Sequence, residues 1–323
     1  MHRRTFLTRA VTVGGAGLVA GCSGGGGDGS TEQGTPTPNA EEASTHLEKA
    51  ATALDRANEA FATEGDKFEN ADISSGGVNV QTETVTEFLD TASAQLDEAE
   101  RDATAEQQRI VESARGVVAF LRAAIDFLDV FAEAYTQTGS GLSLFQTERF
   151  EDAVERFETA TATYEDAGSA LDEMKRKHEA IDTAPLDDLE QVSIESAADD
   201  IEQLEGLLAA MSGLTTGMQD LSAGMVDYTD GIEKLDAKEY TAAQNRFQDA
   251  QSHFSQAESV FKEHEASAPA TVKSTFIEMR CLAGAIRDAS GHFAAASEAL
   301  DVGDDQRANE EAQKGKEAAN RCQ

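Results

Sequence analysis

Seven apolar positions recur 90 residues apart. Phe150, Ala153, Phe157, Ala160, Tyr164, Ala167 and Leu171 return as Tyr240, Ala243, Phe247, Ala250, Phe254, Ala257 and Phe261. The spacing alternates three and four, which places all seven on one face of a helix. Large side chains alternate with alanine, so a ring on one helix can sit close to a small residue on its neighbour. A stripe of this kind is hidden by laying another helix along it. No segment alternates with period two over a strand length, so no sheet is expected.

Each stripe follows a second long helical pattern. The first carries Ile110, Val117, Leu121, Ile125, Leu128, Phe131 and Tyr135. Its counterpart carries Ile201, Leu204, Leu208, Met211, Leu214, Met218, Leu221, Met225 and Tyr228. The turns correspond as well, Phe145–Glu148 with Leu235–Lys238. A weaker third copy follows at an offset of 65, with Val272, Phe276, Met279, Leu282, Ile286 and Phe293 before a turn at Leu300–Gly303. After that turn only small residues remain on the stripe: Ala308, Ala312, Gly315 and Ala319. A terminal repeat with a thinned apolar face suits a cap. Upstream, Leu47, Ala50, Leu54, Ala57 and Phe61 mark one helix, and Val85, Phe88, Leu89, Ala92, Leu96 and Ala99 mark another. Pro185 and Pro269 fall between these patterns and none falls inside one.

The unit Phe-x-x-Ala-x-x-x-Phe-x-x-Ala, opening a helix after a tight turn, resembles part of the tetratricopeptide repeat over roughly 25 residues per copy. The copies lie 90 and 65 residues apart and lack the Trp-Leu-Gly element. The expected fold is therefore all-α: an elongated antiparallel helical bundle, or short tetratricopeptide-like solenoid of long hairpins, with about eight helices. Its expected divisions are a helical hairpin over 41–103, repeats over 104–184 and 185–268, and a C-terminal cap over 269–323.

The N-terminus carries an address. Arg3-Arg4-Thr5-Phe6-Leu7 resembles the twin-arginine export motif. The apolar stretch Ala10–Ala20 has 11 residues, against the roughly 20 needed to span a bilayer. Val19-Ala20-Gly21-Cys22 resembles the lipobox of bacterial and archaeal lipoproteins. The resemblance implies a signal peptide over 1–21, cleavage before Cys22 and a lipid on its thiol. Durable anchoring requires more than one acyl chain or a lipid with two tails. Residues 22–40 continue as a Gly/Ser/Thr/Pro tether, a flexible leash reaching on the order of 25 Å. The expected location is the outer face of the cell membrane.

Charge bears on environment and partners. Loss of residues 1–21 removes Arg3, Arg4 and Arg9 and no acid, leaving 23 basic against 61 acidic residues and a net charge of −38. Together with abundant alanine and no tryptophan, this composition resembles that of halophilic archaeal proteins. At 1 M salt the Debye length is about 3 Å, so dense surface carboxylates barely repel one another; in dilute buffer they would push the compact state apart. Phosphate binding needs basic patches, so nucleic acid is not an expected partner.

With Cys22 lipidated, Cys281 and Cys322 remain as a pair in a disulfide-permissive compartment. If the turn at Leu300–Gly303 closes an antiparallel hairpin, residues whose numbers sum to 603 lie opposite each other. Cys281 and Cys322 meet that condition, and a disulfide stapling the terminus is expected, with two buried thiols as the alternative. Closing a loop of that size contributes roughly 3–4 kcal/mol in the chain-entropy model.

Chemistry-bearing patterns are sparse. His2, His46, His178, His253, His264 and His292 form neither a His-x-x-x-His pair nor a Glu-x-x-His motif. No Cys-x-x-Cys, phosphate-binding loop or dinucleotide glycine pattern occurs, and no nucleophile, base and acid converge. No catalytic, cofactor-binding or metal residue is nominated, although His253 and His264 could share a site with acids from another helix. Met211, Met218 and Met225, with Gly213, Gly217 and Gly224, suit a core stripe packed through glycine; an adaptable binding face is the alternative. The expected function is that of a non-enzymatic envelope lipoprotein that binds or scaffolds other envelope proteins. Two alternatives stay open: a solute- or metal-binding lipoprotein serving a transporter or sensor, and a hydrolase assembled from distant residues.

Overall fold

A computed structural model describes residues 39–322, apart from 70–72, 74–76, 190–191, 193, 195 and 271. Arg3, Arg4 and Cys22 lie outside the described residues. The fold is all-α. Among the described residues the α-helices are α1 (Ala40–Glu69), α2 (Glu83–Asp102), α3 (Ala105–Gln146), α4 (Phe150–Glu179), α5 (Ala197–Asp236), α6 (Tyr240–Glu265), α7 (Lys273–Asp301) and α8 (Asp305–Ala319). No helix among them is long and apolar enough to cross a membrane.

The helices divide between two compact units, with α1, α3, α4 and α5 contributing to both. The first unit takes the described residues up to Asp66, Gln81–Ile125 and Met174–Asp200. Leu47, Leu54, Leu89 and Leu96 are buried within it. Its α3 opens with a capping box. The Thr104 N–H donates to Gln107 Oε1 (3.0 Å), and the Gln107 N–H donates to Thr104 Oγ1 (3.3 Å). Gln107 Nε2 then ties this cap to α1 through the Ala40 carbonyl (2.8 Å) and Ser44 Oγ (2.9 Å).

The second unit, Lys67–Val80, Asp126–Glu173 and Ile201–Gln323, holds the three repeat turns. All three have the same geometry. Arg149 N–H bonds to the Leu144 carbonyl and Glu148 N–H to that of Phe145. Glu239 bonds likewise to Lys234 and Lys238 to Leu235; Asp304 bonds to Ala299 and Gly303 to Leu300. These are Schellman closures, with a left-handed residue just past the helix. The left-handed residues are Glu148 (φ 60°), Lys238 (φ 63°) and Gly303 (φ 79°). Only the third is the glycine that this conformation favours.

The stripes form the interior of the second unit. Ala243, Phe247, Ala250, Phe254, Ala257 and Phe261 are completely buried. Their rings seat on glycines of α5 rather than on the alanines that the stripe alone suggests. Phe261 lies on Gly217, Phe254 on Gly224 and Phe247 on Gly231. A Cβ at Gly224 would lie 2.5 Å from Phe254 Cε1, and one at Gly231 would lie 2.8 Å from Phe247 Cε1. Glycines and rings both recur every seven residues, so one interlock is built three times along the α5–α6 hairpin. The α3–α4 hairpin repeats it once, with Phe157 on Gly141. Met211 and Met218 are buried and Met225 is half-buried, which places the first two in the core.

A polar knot sits inside the same core. Thr138 Oγ1 lies 3.1 Å from Thr215 Oγ1 and 3.4 Å from the Tyr164 hydroxyl. It joins α3, α4 and α5. Burial raises the Tyr164 pKa.

At the C-terminal hairpin, Cys281 and Cys322 are joined by a disulfide with a Cα–Cα distance of 5.9 Å. It ties the end of α8 to α7.

Candidate functional site

The Schellman turn of the α3–α4 hairpin places Glu148, Arg149, Glu151 and Asp152 beside the C-terminal part of α5. A cleft of about 470 Å³ opens there, closed on its other side by Asp227, Asp230 and Glu233 of α5 and Arg246 of α6. Acids dominate it. Two carboxylates are answered by one cation, as Arg246 Nη1 lies 3.0 Å from Asp227 and its Nε lies 2.7 Å from Asp230. Arg149 pairs with Asp152 at 2.6 Å across one turn of α4. The heptad spacing of α5 sets this arrangement. Ring-bearing α6 lies so close to glycine-bearing α5 that Arg246, one residue before Phe247, is pressed onto the acids of the facing helix.

The same apposition brings His253 between Asp220 and Asp227, seven residues apart on α5. Its Nδ1 lies 3.9 Å from Asp220 and its Nε2 3.7 Å from Asp227. Burial pushes the Asp220 carboxyl above its ordinary value, and His253 partly offsets this. Asp220, His253, Asp227, Arg246 and Asp230 thus form a continuous ladder of acidic and basic side chains along the α5–α6 seam. It can favour a cation and disfavour an anion. Among the described residues no group of His, Cys, Asp and Glu has the geometry to hold a metal ion.

The two histidines of repeat two do not share a site. His253 joins the ladder, whereas His264 stacks on Phe276 (ring centroids 6.3 Å apart) and packs on Gly213. The other described histidines are dispersed: His46 bonds to Gln95 (2.9 Å), His178 packs near Phe120, and His292 pairs with Glu311 (2.7 Å). Individual residue types do not reveal the ladder. The opposite-residue arithmetic that links Cys281 to Cys322, applied to the turn at Leu235–Lys238, would have set His253 against the stretch holding Asp220 and Asp227.

No protein-family model matches the chain, and no curated protein or solved structure is significantly similar to it.

Proposed function

We propose that the protein is a membrane-anchored extracytoplasmic lipoprotein, exported through Arg3-Arg4 and lipidated at Cys22, which acts as a non-enzymatic platform for other envelope proteins. The observation that carries this reading is the ring-on-glycine interlock repeated along α5 and α6. It packs α5 and α6 into a closely interlocked hairpin, suited to presenting a surface rather than closing around a substrate. Lipidated Cys22 and the Gly/Ser/Thr/Pro tether would hold that surface near the membrane. The repeated hairpins fit a tetratricopeptide-like array, and the charge of −38 fits an adaptation to concentrated salt.

The test is affinity capture of the full chain from membranes in concentrated KCl, beside a Cys22→Ser variant. Wild type should stay in the membrane fraction with a reproducible envelope protein bound, and Cys22→Ser should leave that fraction. A wild-type chain that is cytosolic with Met1 retained defeats the reading. A second reading, a lipoprotein that hands a cationic solute to a transporter, draws on the acidic cleft at Asp227 and Asp230. Saturable binding of spermidine, lost on Asp230→Asn, would favour it.

A further inference from the structure

The α7–α8 hairpin has the same turn as its predecessors but little of their apolar grip. Of the residues of α8, Ala308 and Gly315 are buried. The Phe293 ring of α7 faces Gly315, where a Cβ would lie 3.1 Å from Phe293 Cε2, and Ala312, Ala318 and Ala319 add only methyl groups to the same cluster. Polar pairs across the hairpin are Arg307 with Glu298 (3.1 Å), His292 with Glu311 (2.7 Å) and Arg321 with Asp288 (2.5 Å). Pairs that reach solvent in this way hold weakly, and salt screens them further. A 15-residue helix with so small an apolar face is marginal by itself. Its position therefore depends on the disulfide, and Cys281 is exposed to solvent.

We propose that Cys281–Cys322 is a reversible redox latch, and that opening it undocks α8 and bares the aromatic cluster beneath. A low-molecular-weight thiol, as its thiolate, attacks Sγ of Cys281. The S–S bond breaks, a mixed disulfide forms on Cys281, and Cys322 departs as a thiolate that takes up a proton. A second thiol resolves the mixed disulfide. It leaves with the first as their own disulfide and frees the Cys281 thiol, so two electrons reach the protein. Undocking then uncovers Phe293, which packs with Tyr228 and Phe247 at centroid distances of 5.9 and 5.6 Å. The second hairpin stays closed, because its three interlocks are independent of sulfur. This regulatory device stands whether or not the platform reading holds.

Amide hydrogen exchange on the full chain in concentrated KCl, with and without dithiothreitol, tests it. After reduction, amides of Asp305–Ala319 should lose at least ~10-fold of their protection, while those of α5 and α6 do not move; reoxidation should restore α8. A Cys281→Ser, Cys322→Ser double variant should show the open state without reductant, and the reduced wild type decides if that variant does not fold. Three results overturn the latch: α8 protection that survives complete reduction, protection lost from α5 and α6 together with α8, or a bridge that dithiothreitol reaches only in denaturant.

Discussion

The second and the C-terminal hairpins share one turn geometry and differ in what closes them. In α5–α6 three rings of the second helix enter three glycine notches of the first. Moving 65 residues along, Phe247 and Phe254 become Ala312 and Ala319, and the notches Gly231 and Gly224 become Ala296 and Ala289. The one surviving ring contact is reversed, with Phe293 on the first helix and Gly315 on the second. A covalent bridge, Cys281–Cys322, follows one step of the stripe beyond Ala319, at the place of Ala257. Backbone closure is thus separable from side-chain grip: the same turn can end a hairpin held by burial or one held by sulfur and charge.

Four measurements would break or sharpen this contrast. The largest effect is expected for Phe254→Ala, which empties a buried ring site and should cost about 3–5 kcal/mol in denaturant unfolding in concentrated KCl. Ala319→Gly at the equivalent place in α8 should cost about 1 kcal/mol or less. Similar losses at both places would erase the distinction. Next comes Gly224→Ala, which forces a methyl group against Phe254 and should cost about 1–3 kcal/mol. Combined with Phe254→Leu it should cost less than the two added, as a double-mutant cycle reads.

Smaller effects are expected at the turns. Glu148→Gly and Lys238→Gly relieve a left-handed conformation and should each raise stability by about 0.5–1 kcal/mol, whereas Gly303→Ala should lower it by a similar amount. Equal responses at all three would mean that the residues at 148 and 238 carry no strain.

The smallest effect is expected on acidification, and the two hairpins should respond with opposite sign. Burial pushes the Asp288 carboxyl up, but hydrogen bonds from Arg321 and Arg287 outweigh it and hold the group below 3.8. Glu311 is held below 4.5 by hydrogen bonds from Lys314 and His292. Both folded values lie under their unfolded ones, so their support for α8 is complete above the ordinary carboxylate range and is lost as pH falls beneath it. Asp220 is raised above 3.8, so its ionised form disfavours the folded hairpin and acid relieves that cost. Exchange protection followed from neutral pH to below 3.8 should therefore fall first in α8. Earlier loss in α5 would reverse the ranking.

Much of this architecture is legible in the sequence, because period and turn position depend on neighbours along the chain. The stripe from Ala243 to Phe261 names the buried face of α6, and the segments ending at Glu148, Lys238 and Gly303 name the three closures. Periodicity does not say which residue on the facing helix meets which. Gly217 and Gly224 are therefore visible as small residues in a core helix but not as seats for Phe261 and Phe254. The ladder is less legible still. Asp220, His253 and Arg246 look like ordinary members of a solvated acidic surface until the helix approach is known. Arg3, Arg4 and Cys22 are read from resemblance to short motifs rather than from packing, and they lie outside the described residues.

The Thr138, Tyr164 and Thr215 hydroxyls carry one further consequence. A seam of leucines and phenylalanines tolerates slippage by a whole heptad, since one greasy rung looks much like the next. Three hydroxyls meeting at a single level do not. A shift of α5 against α3 would break the Thr138–Thr215 contact (3.1 Å), a loss of about 0.5–1.5 kcal/mol, while each threonine hydroxyl keeps its bond to the carbonyl one turn back on its own helix, Ala134 and Met211 (2.9 Å each). The knot works as an indexing pin: it adds little adhesion, and it favours one alignment of the neighbouring rods over its heptad-shifted rivals.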